Sequence, residues 1–472
     1  MTAKTFRQFR RLGTAWALAA AALAGASNVA AQEASAPLVH PQTTYSQHTQ
    51  ALVREFNAAK EAPPIVMMDR DLFALNLALR HIDPYDPPAR AKVIAELAKE
   101  QTGLSIDPKH FEMATYQMTG EQPSTWAPFY GPSIGAPGEG FCTVFGQDPD
   151  ADGPSQLRSL TNLNGVFEPL GARLLNPLSR ASINGYTDYH EIGHCFYFTP
   201  PPAPDAKPDD VHFQLHKHEM FGDIFSSLLM ARDGMTDFAG RYARVRLVAS
   251  ALAGIGDEYH HATWDGLEAA QREIDARGPS GMKEMTLKEI HALSLRLMEE
   301  NAIDMKTMNI VDAFQQSQYD EAALKALVAK DPSLAKSADY ALRLKARMTA
   351  ALEQSADLKG LGPAGLKPPE LVHYYKTHDE EAPDAPEIVS YQQLTVQLRD
   401  ELLAAAQTKG APTATSLGAA IDARMESLRR TLDDGDDAAR HLAMRRLPLL
   451  EKAFVQALAM IDPPKPAPKP GI

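Results

Sequence analysis

Residues 189–197 read Tyr-His-Glu-Ile-Gly-His-Cys-Phe-Tyr, and the interpretation of the whole chain starts from them. Ile192 and Phe196 are four residues apart, whereas His190 and His194 lie on another side of the same turn pattern. The spacing predicts one amphipathic helix with an apolar back. Because positions i and i+4 share a helix face, both imidazoles can bind one metal ion at about 2.0 to 2.1 Å.

The stretch is also an instance of H-E-x-x-H, the pattern in which two histidines bind zinc and the intervening glutamate acts on a water molecule. Glu191 is rotated off the histidine line, towards that water. The ion lowers the pKa of the water and polarises a carbonyl group, while the carboxylate takes the proton and delivers it to the leaving amine. The alternative is a chance match on a surface helix, which composition gives in about three chains in a hundred.

A catalytic zinc site needs a third protein ligand. Twenty-four residues separate His194 from Glu219, which lies beside the broad apolar face of a second predicted helix. Glu219 can bind the metal, and Asp223, one turn later, can accept a hydrogen bond from the outer N–H of a bound imidazole. An ordinary helix carboxylate is the alternative for Asp223. The alternative third ligands are His212, His216 and His218.

The HEIGH stretch followed by Glu-x-x-x-Asp resembles the gluzincin metallopeptidases. The wording His-Glu-x-x-Gly-Asp after the gap is similar to the angiotensin-converting-enzyme-like, mostly helical peptidases, over residues 189–229. The resemblance implies a zincin-like core, zinc ligands at His190, His194 and Glu219, a general base at Glu191 and a hydrogen-bond acceptor for His190 at Asp223. A metzincin is disfavoured, because Tyr197 and Pro200 occupy the positions of its Gly and third His.

The only two cysteines of the chain are Cys142 and Cys195. In an exported protein they can pair and fix the segment around Cys142 to the HEIGH helix, or they can remain two buried thiols; the sequence leaves both open. Cys195 is a poor zinc ligand, since it follows His194 by one residue and is turned about 100° away from the metal-facing side.

A hydrolase of this kind also needs donors for the oxyanion that forms at the attacked carbonyl. Tyr259, His260 and His261 lie in a predicted turn between two helical patterns, and His260 is the candidate we select. The alternative is that these side chains cap or pack the turn.

The fold class predicted from periodicity is mainly α with a small β-sheet and an extra helical lobe. Strand-like segments lie between residues 138 and 175, with a hairpin at Asn164–Gly165. The strand near Cys142 offers an edge against which an extended peptide can pair. The predicted regions are an N-terminal helical region with the sheet (32–180), a zinc-binding catalytic region (181–380), a C-terminal helical region (381–461) and a disordered proline-rich tail (462–472).

The first 11 residues include four basic ones, and an apolar run of about 13 residues follows them. Small residues up to Ala31 then form a cleavage site, and together these features predict a cleaved signal peptide over residues 1–31. The run is too short to span a bilayer, so no stable membrane insertion is expected after cleavage. The mature chain would carry 43 basic against 60 acidic residues, a charge of −17 that argues against nucleic acid as a partner. The expected location is the bacterial periplasm or the medium, and the oligomeric state is left open.

The sequence therefore predicts an exported, zinc-dependent metallopeptidase that acts on a peptide or protein. One alternative is a zinc-containing binding or scaffold protein without turnover, although such a site has no need of Glu191. Another is a zinc amidohydrolase that acts on non-protein amides, which needs the same water and the same Lewis acid.

Overall fold

The computed structural model describes residues 37–39, 44–83, 86–103, 105–111, 129–130, 141–146, 180–197, 207–253, 256–354, 391–407 and 410–461. The predicted signal peptide, the hairpin at residues 164–165, the proline-rich stretch at 200–206 and the C-terminal tail lie outside these residues. The chain divides into two compact units, Met1–Leu38 and Val39–Ile472, and the elements described below belong to the second.

The described chain is mainly helical, which confirms the predicted class. The helices up to residue 354 are α1 Thr44–Ala59, α2 Arg70–Leu79, α3 Pro87–Thr102, α4 Arg180–Phe196, α5 Pro208–Arg232, α6 Phe238–Ala253, α7 Trp264–Lys283, α8 Leu287–Asn301, α9 Met305–Gln316, α10 Glu321–Lys330 and α11 Ala335–Glu353. The later helices are α12 Tyr391–Ala406, α13 Ala414–Asp434, α14 Asp437–Arg446 and α15 Leu450–Ile461. Short 3₁₀ turns cover Pro108–Phe111, Gly256–His261, Pro332–Leu334 and Leu447–Leu449.

A small sheet accompanies the helices, with strands β1 Ile65–Asp69, β2 Phe129–Tyr130 and β3 Phe141–Gly146 in the order β1-β3-β2. β1 runs parallel to β3, from Ile65 opposite Cys142 to Asp69 opposite Gly146. β2 is antiparallel and pairs only with Phe141 and Cys142. Among the described residues, 143–146 therefore have no strand partner on that side of β3. The strand near Cys142 was predicted, whereas β1 was not.

Local sequence signals place several helix ends. Asp86 accepts a hydrogen bond from the Ala89 amide just before Pro87, so α3 begins with a capped turn and a proline at its first position. Thr286 and Glu289 form a reciprocal capping box at the start of α8. Pro448, which has no backbone N–H to continue a helix, lies in the 3₁₀ turn between α14 and α15.

The core that supports the predicted metal-binding helices lies between α4, α5 and the sheet. On α5 the side chains of Phe221, Ile224 and Phe225 are buried, and they pack in one cluster with Ile192 of α4 and Val144 of β3. Burying an aromatic side chain of this size stabilises the fold by about 3 to 5 kcal/mol relative to alanine. The apolar back predicted for the HEIGH helix is therefore the side that packs against the sheet and α5.

Cys142 of β3 and Cys195 of α4 form a disulfide, with their Cα atoms 5.7 Å apart. The sequence left open whether these cysteines form a disulfide or remain two buried thiols, and in the structure they form the disulfide. The bridged residues are 53 positions apart, and closing a loop of this length stabilises the folded chain by about 4 kcal/mol in the chain-entropy description. The bridge joins the central strand to the residue that follows His194.

Helices α12 to α15 pack mainly on one another, and α14 and the 3₁₀ turn before α15 also contact α2. These helices lie in the region predicted as the C-terminal helical lobe. The borders at residues 180 and 380 stay predictions. Within the described parts of the chain, no helix combines the length and apolar character that crossing a bilayer requires.

Candidate metal centre

The site is built on the face where α4 and α5 meet. In α4, His194 is buried, and His190 and Glu191 are half-buried. Helix α5 begins at Pro208 with Asp209 and Asp210 in its first turn, where negative charge stabilises the positive end of the helix dipole. Its second half is buried from Met220 to Ala231, which holds it firmly against α4.

Two glycines allow the close approach of the helices. A Cβ atom on Gly222 would lie 2.9 Å from Cε1 of His190 and 3.1 Å from Cε1 of His194. A Cβ atom on Gly193 would lie 3.2 Å from Cα of Gly222. Both positions therefore have no room for a side chain, and the two imidazole rings lie directly over the backbone of α5.

His190, His194 and Glu219 converge across this contact. Nε2 of His190 lies 3.2 Å from Oε2 of Glu219, and Nε2 of His194 lies 3.7 Å from Oε1 of the same carboxylate. Two ligand atoms that each lie about 2.1 Å from one tetrahedral zinc ion are about 3.4 Å apart. Each nitrogen–oxygen distance is close to that value, but the two histidines face different oxygens of Glu219. The donors that lie within 4.8 Å of one another form two groups, one of His190, Glu191 and His194 and one of His194, His218 and Glu219. Two imidazoles and a carboxylate are donors of the type that zinc binds, so the chemistry of the residues fits the predicted metal.

Glu191 lies beside the two histidines of α4. A carboxylate oxygen of Glu191 and one ring nitrogen from each of His190 and His194 lie within 4.8 Å of one another. The role of Glu191 as a general base stays a prediction.

Asp223 lies behind His190 and is fully buried. Its Oδ1 atom lies 2.9 Å from Nδ1 of His190, which is an ion-pair distance. The two groups are not aligned as a hydrogen bond. The same oxygen accepts a hydrogen bond of 2.5 Å from the Tyr186 hydroxyl. The other oxygen accepts hydrogen bonds from the Thr263 hydroxyl and, at 3.4 Å, from Nη2 of Arg246. Asp223 thus connects α4, α6 and the start of α7 to one imidazole.

These contacts set the charges of the site. Burial alone would raise the pKa of Asp223, but the Arg246 guanidinium and the contacts with His190 and Thr263 hold it well below its usual range. Burial would also raise the pKa of Glu219, but the nearby His194, His190 and His261 hold it far below normal. Both carboxylates are therefore ionised at neutral pH.

The two proposed histidine ligands differ in protonation. Burial lowers the pKa of His190, yet the contacts with Asp223 and Glu219 outweigh burial and raise it to about 10. The pKa of His194 lies well below 6.5, because burial and the neighbouring His218 both disfavour its charged form. At neutral pH and without a metal ion, the His190 ring is therefore positively charged, with a proton on each ring nitrogen.

Three further histidines of α5 were the alternative third ligands. His216 is fully buried, with its Nε2 accepting the Ile303 amide at 3.1 Å and its Nδ1 facing the His260 carbonyl oxygen at 3.4 Å. Since both ring nitrogens face backbone groups, His216 has a structural position. His218 stacks on His194 with ring centroids 4.0 Å apart, and His194, His218 and Glu219 form a second group of donors within 4.8 Å of one another. The His212 ring lies beside Tyr259, with centroids 4.7 Å apart.

The predicted oxyanion candidates lie in the 3₁₀ turn Gly256–His261, which packs against α5. The ring of His260 lies 4.1 Å from that of His261, measured between centroids, and His260 as oxyanion donor stays a prediction. Nδ1 of His261, at the end of this turn, lies 3.6 Å from Oε2 of Glu219.

Sequence reasoning missed three residues of this site, namely Tyr186, Arg246 and Thr263. Tyr186 precedes His190 by one helical turn, so its place on the same face was readable from the spacing. Arg246 lies on the face of α6 that also carries the buried Tyr242, and its guanidinium is 4.8 Å from the centre of that ring. The arginine on an otherwise apolar helix face was a signal in the sequence that could have identified Arg246 as a buried charge. No local sequence pattern indicated that Thr263 belongs to the site.

The chain was compared with models of protein families, with characterised proteins and with solved structures, and none of the three comparisons found a match.

Proposed function

We propose that the protein is a zinc-dependent metallopeptidase of gluzincin type. The observation that carries the proposal is that Nε2 of His190 and Nε2 of His194 lie 3.2 and 3.7 Å from oxygens of the Glu219 carboxylate, while Glu191 lies within 4.8 Å of both histidines. A purely structural zinc site usually has four protein ligands, and a glutamate in the position of a base serves no purpose there. Three protein donors and a nearby carboxylate favour catalysis.

In this proposal each residue has a distinct task. His190, His194 and Glu219 hold the ion, and Asp223 keeps the Nδ1 proton on His190 so that Nε2 is free to bind. When bound, zinc supplies Lewis acidity, which polarises the scissile carbonyl and makes a water molecule easier to deprotonate. The Glu191 carboxylate takes the proton of that water and delivers it to the nitrogen of the leaving amine.

The proposed substrate is a peptide or a protein, with the acidic chain exported to the periplasm or the medium. Pairing of an extended substrate backbone with the strand near Cys142 stays a prediction, since β3 is the central strand of the described sheet and its Thr143 and Val144 are fully buried. We propose a zincin-like core formed by the sheet with α4 and α5, and an additional helical lobe in the region from residue 381 to 461.

The decisive experiment measures zinc content and cleavage of a mixed peptide library for the wild type and Glu191→Gln. We expect both proteins to bind one zinc ion and only the wild type to cleave, because glutamine keeps the shape of glutamate but cannot accept the proton. Glu299→Gln is a matched control, since Glu299 is exposed and pairs with Lys217, which lies two residues before Glu219 and so is turned about 200° around α5 from it.

The remaining outcomes separate the rival functions. Zinc bound by a wild type that cleaves no peptide but hydrolyses non-protein amides would favour an amidohydrolase. Zinc without turnover on either substrate class would favour a binding protein. A wild type that binds no zinc would refute the proposal.

A further inference from the structure

The last residue of the 3₁₀ turn Gly256–His261 and a residue shortly after it contact the two carboxylates of the candidate site. His261 faces Glu219 at 3.6 Å, and the hydroxyl of Thr263, two residues later, donates to Asp223. Glu219 and Asp223 are one turn apart on α5, about 6 Å along the helix axis. His261 and Thr263, which are two residues apart, thus each contact one of these two carboxylates.

Thr263 is at the N-cap position of α7, where a threonine hydroxyl normally accepts a hydrogen bond from a backbone amide of the first turn. Here it makes no such capping bond. A capping bond stabilises the start of a helix, but this buried hydroxyl donates to Asp223 instead. The contact with the carboxylate therefore takes the place of a local stabilising interaction.

Residues 261–263 are held in place by contacts of the residues that precede and follow them. The carbonyl oxygen of His260 faces the buried His216 ring of α5, and that ring also accepts the Ile303 amide from the chain between α8 and α9. On the other side, the Trp264 indole donates to the Tyr340 hydroxyl of α11 at 3.0 Å. Residues 261–263 are consequently fixed with respect to α5 before any ligand is considered.

We propose that His261 and Thr263 are positioning residues that orient Glu219 and Asp223 for metal binding; this inference rests on the metal site proposed above. His261 acts on the carboxylate that binds the ion, and Thr263 acts on the carboxylate that orients His190. Residues that orient metal ligands change metal affinity by about 10- to 100-fold when they are replaced. A donor to the substrate oxyanion would instead change turnover and leave metal affinity unaltered, so the two roles can be separated.

The test measures zinc affinity by competition with a chelator and the visible absorption spectrum of the cobalt-substituted protein. Thr263→Val removes the hydroxyl and is expected to weaken zinc binding by about 10- to 100-fold and to shift the cobalt spectrum. Thr263→Ser keeps the hydroxyl and should stay within about threefold of the wild type. For His261, we expect His261→Leu to weaken binding by about tenfold and His261→Asn, whose amide nitrogen can replace Nδ1, to recover most of the affinity.

Thr307→Val is the matched control. Thr307 is also a buried threonine, and its hydroxyl bonds Asp304 and Ser337 and neither carboxylate of the candidate site. This variant should lose stability but keep zinc affinity and the cobalt spectrum.

Wild-type affinity and spectra in both Thr263→Val and His261→Leu would overturn the inference while leaving the zinc site intact. A wild type that binds no zinc would overturn the metallopeptidase proposal as well. If Thr263→Val does not fold, the pair of His261 variants decides, since the recovery by asparagine is specific to the orienting contact.

Discussion

The backbone of Gly222 lies beneath the ring of His190, so closely that a Cβ atom there would come within 2.9 Å of Cε1. The imidazole therefore takes its position from the absence of a side chain on the neighbouring helix. Glycine in a helix interior costs about 1 kcal/mol relative to alanine, and at this position the cost is tied to the geometry of the metal centre.

Gly222→Ala should therefore weaken zinc binding by tenfold or more and destabilise the protein by about 1 to 3 kcal/mol, because the added methyl group displaces both imidazoles. Chelator competition and thermal unfolding measure the two effects. Gly418→Ala on α13 is the control, since a Cβ atom there meets nothing within 4 Å. We expect that variant to be more stable by about 1 kcal/mol, with unchanged zinc affinity. Equal affinity in both variants would show that the close contact does not govern the site.

Asp223→Asn is expected to lower zinc affinity by about 10- to 100-fold, because the amide no longer provides the charge that orients His190. It should also destabilise the fold by about 3 to 5 kcal/mol, since the buried Arg246 loses its counter-charge. Asp265→Asn is the comparison: Asp265 pairs with Arg347 at 2.6 Å and accepts the Tyr340 hydroxyl, so its loss should reduce stability without changing zinc affinity. A normal zinc affinity in Asp223→Asn would assign Asp223 a structural role only.

Zinc binding should release close to one proton at pH 8. The pKa of His190 is raised to about 10, so this ring is protonated at pH 8 and must lose its proton when the ion binds. The expected sign is that zinc affinity rises with pH, by about tenfold per unit below pH 10. Isothermal titration in buffers with different ionisation enthalpies measures the proton number. Release of no proton would mean that His190 is neutral in the protein alone.

Replacing both cysteines, as in Cys142→Ala with Cys195→Ala, should lower the free energy of unfolding by about 4 kcal/mol, because the unfolded chain regains the freedom of a 53-residue loop. Zinc affinity of the folded variant should change little, because the imidazoles are positioned by their contact with α5. Urea unfolding with and without reductant checks the prediction. Reductant should destabilise the wild type and leave the double variant unaffected, and a loss below 1 kcal/mol would contradict the expectation.

Helical periodicity revealed most of the fold because the relevant spacings are local. Apolar residues recur at three- and four-residue spacing in residues 52–59, 238–252 and 290–298, for example, and these ranges lie inside α1, α6 and α8. β1 was missed for a physical reason: Ile65–Asp69 is five residues long, shows no polar alternation and contains two methionines, which do not favour strands. Its partner is β3, much later in the chain, so only the tertiary fold makes it a strand.

In the candidate site, too, the relations within one helix were predictable from the sequence, whereas the contacts between distant elements were not. His190 and His194 are related by one helical turn, and Glu219 and Asp223 by another, so their arrangement within each helix was predictable. The contacts of Asp223 with Thr263 and Arg246 join elements that are distant in sequence, and no local pattern encodes them. A threonine at a helix start is ordinarily interpreted as a cap, which is why Thr263 gave no signal.

The bridge between Cys142 and Cys195 closes a covalent ring of chain that contains His190, Glu191 and His194 but neither Glu219 nor Asp223. Two of the proposed zinc ligands and the proposed base thus belong to the ring, while the third ligand comes from the open chain beyond it. A fragment that ended before α5 would keep the complete HEIGH stretch and still lack a three-ligand site. Zinc binding by this protein would therefore report that α5 has docked on the ring, and it offers a direct measure of correct assembly during refolding.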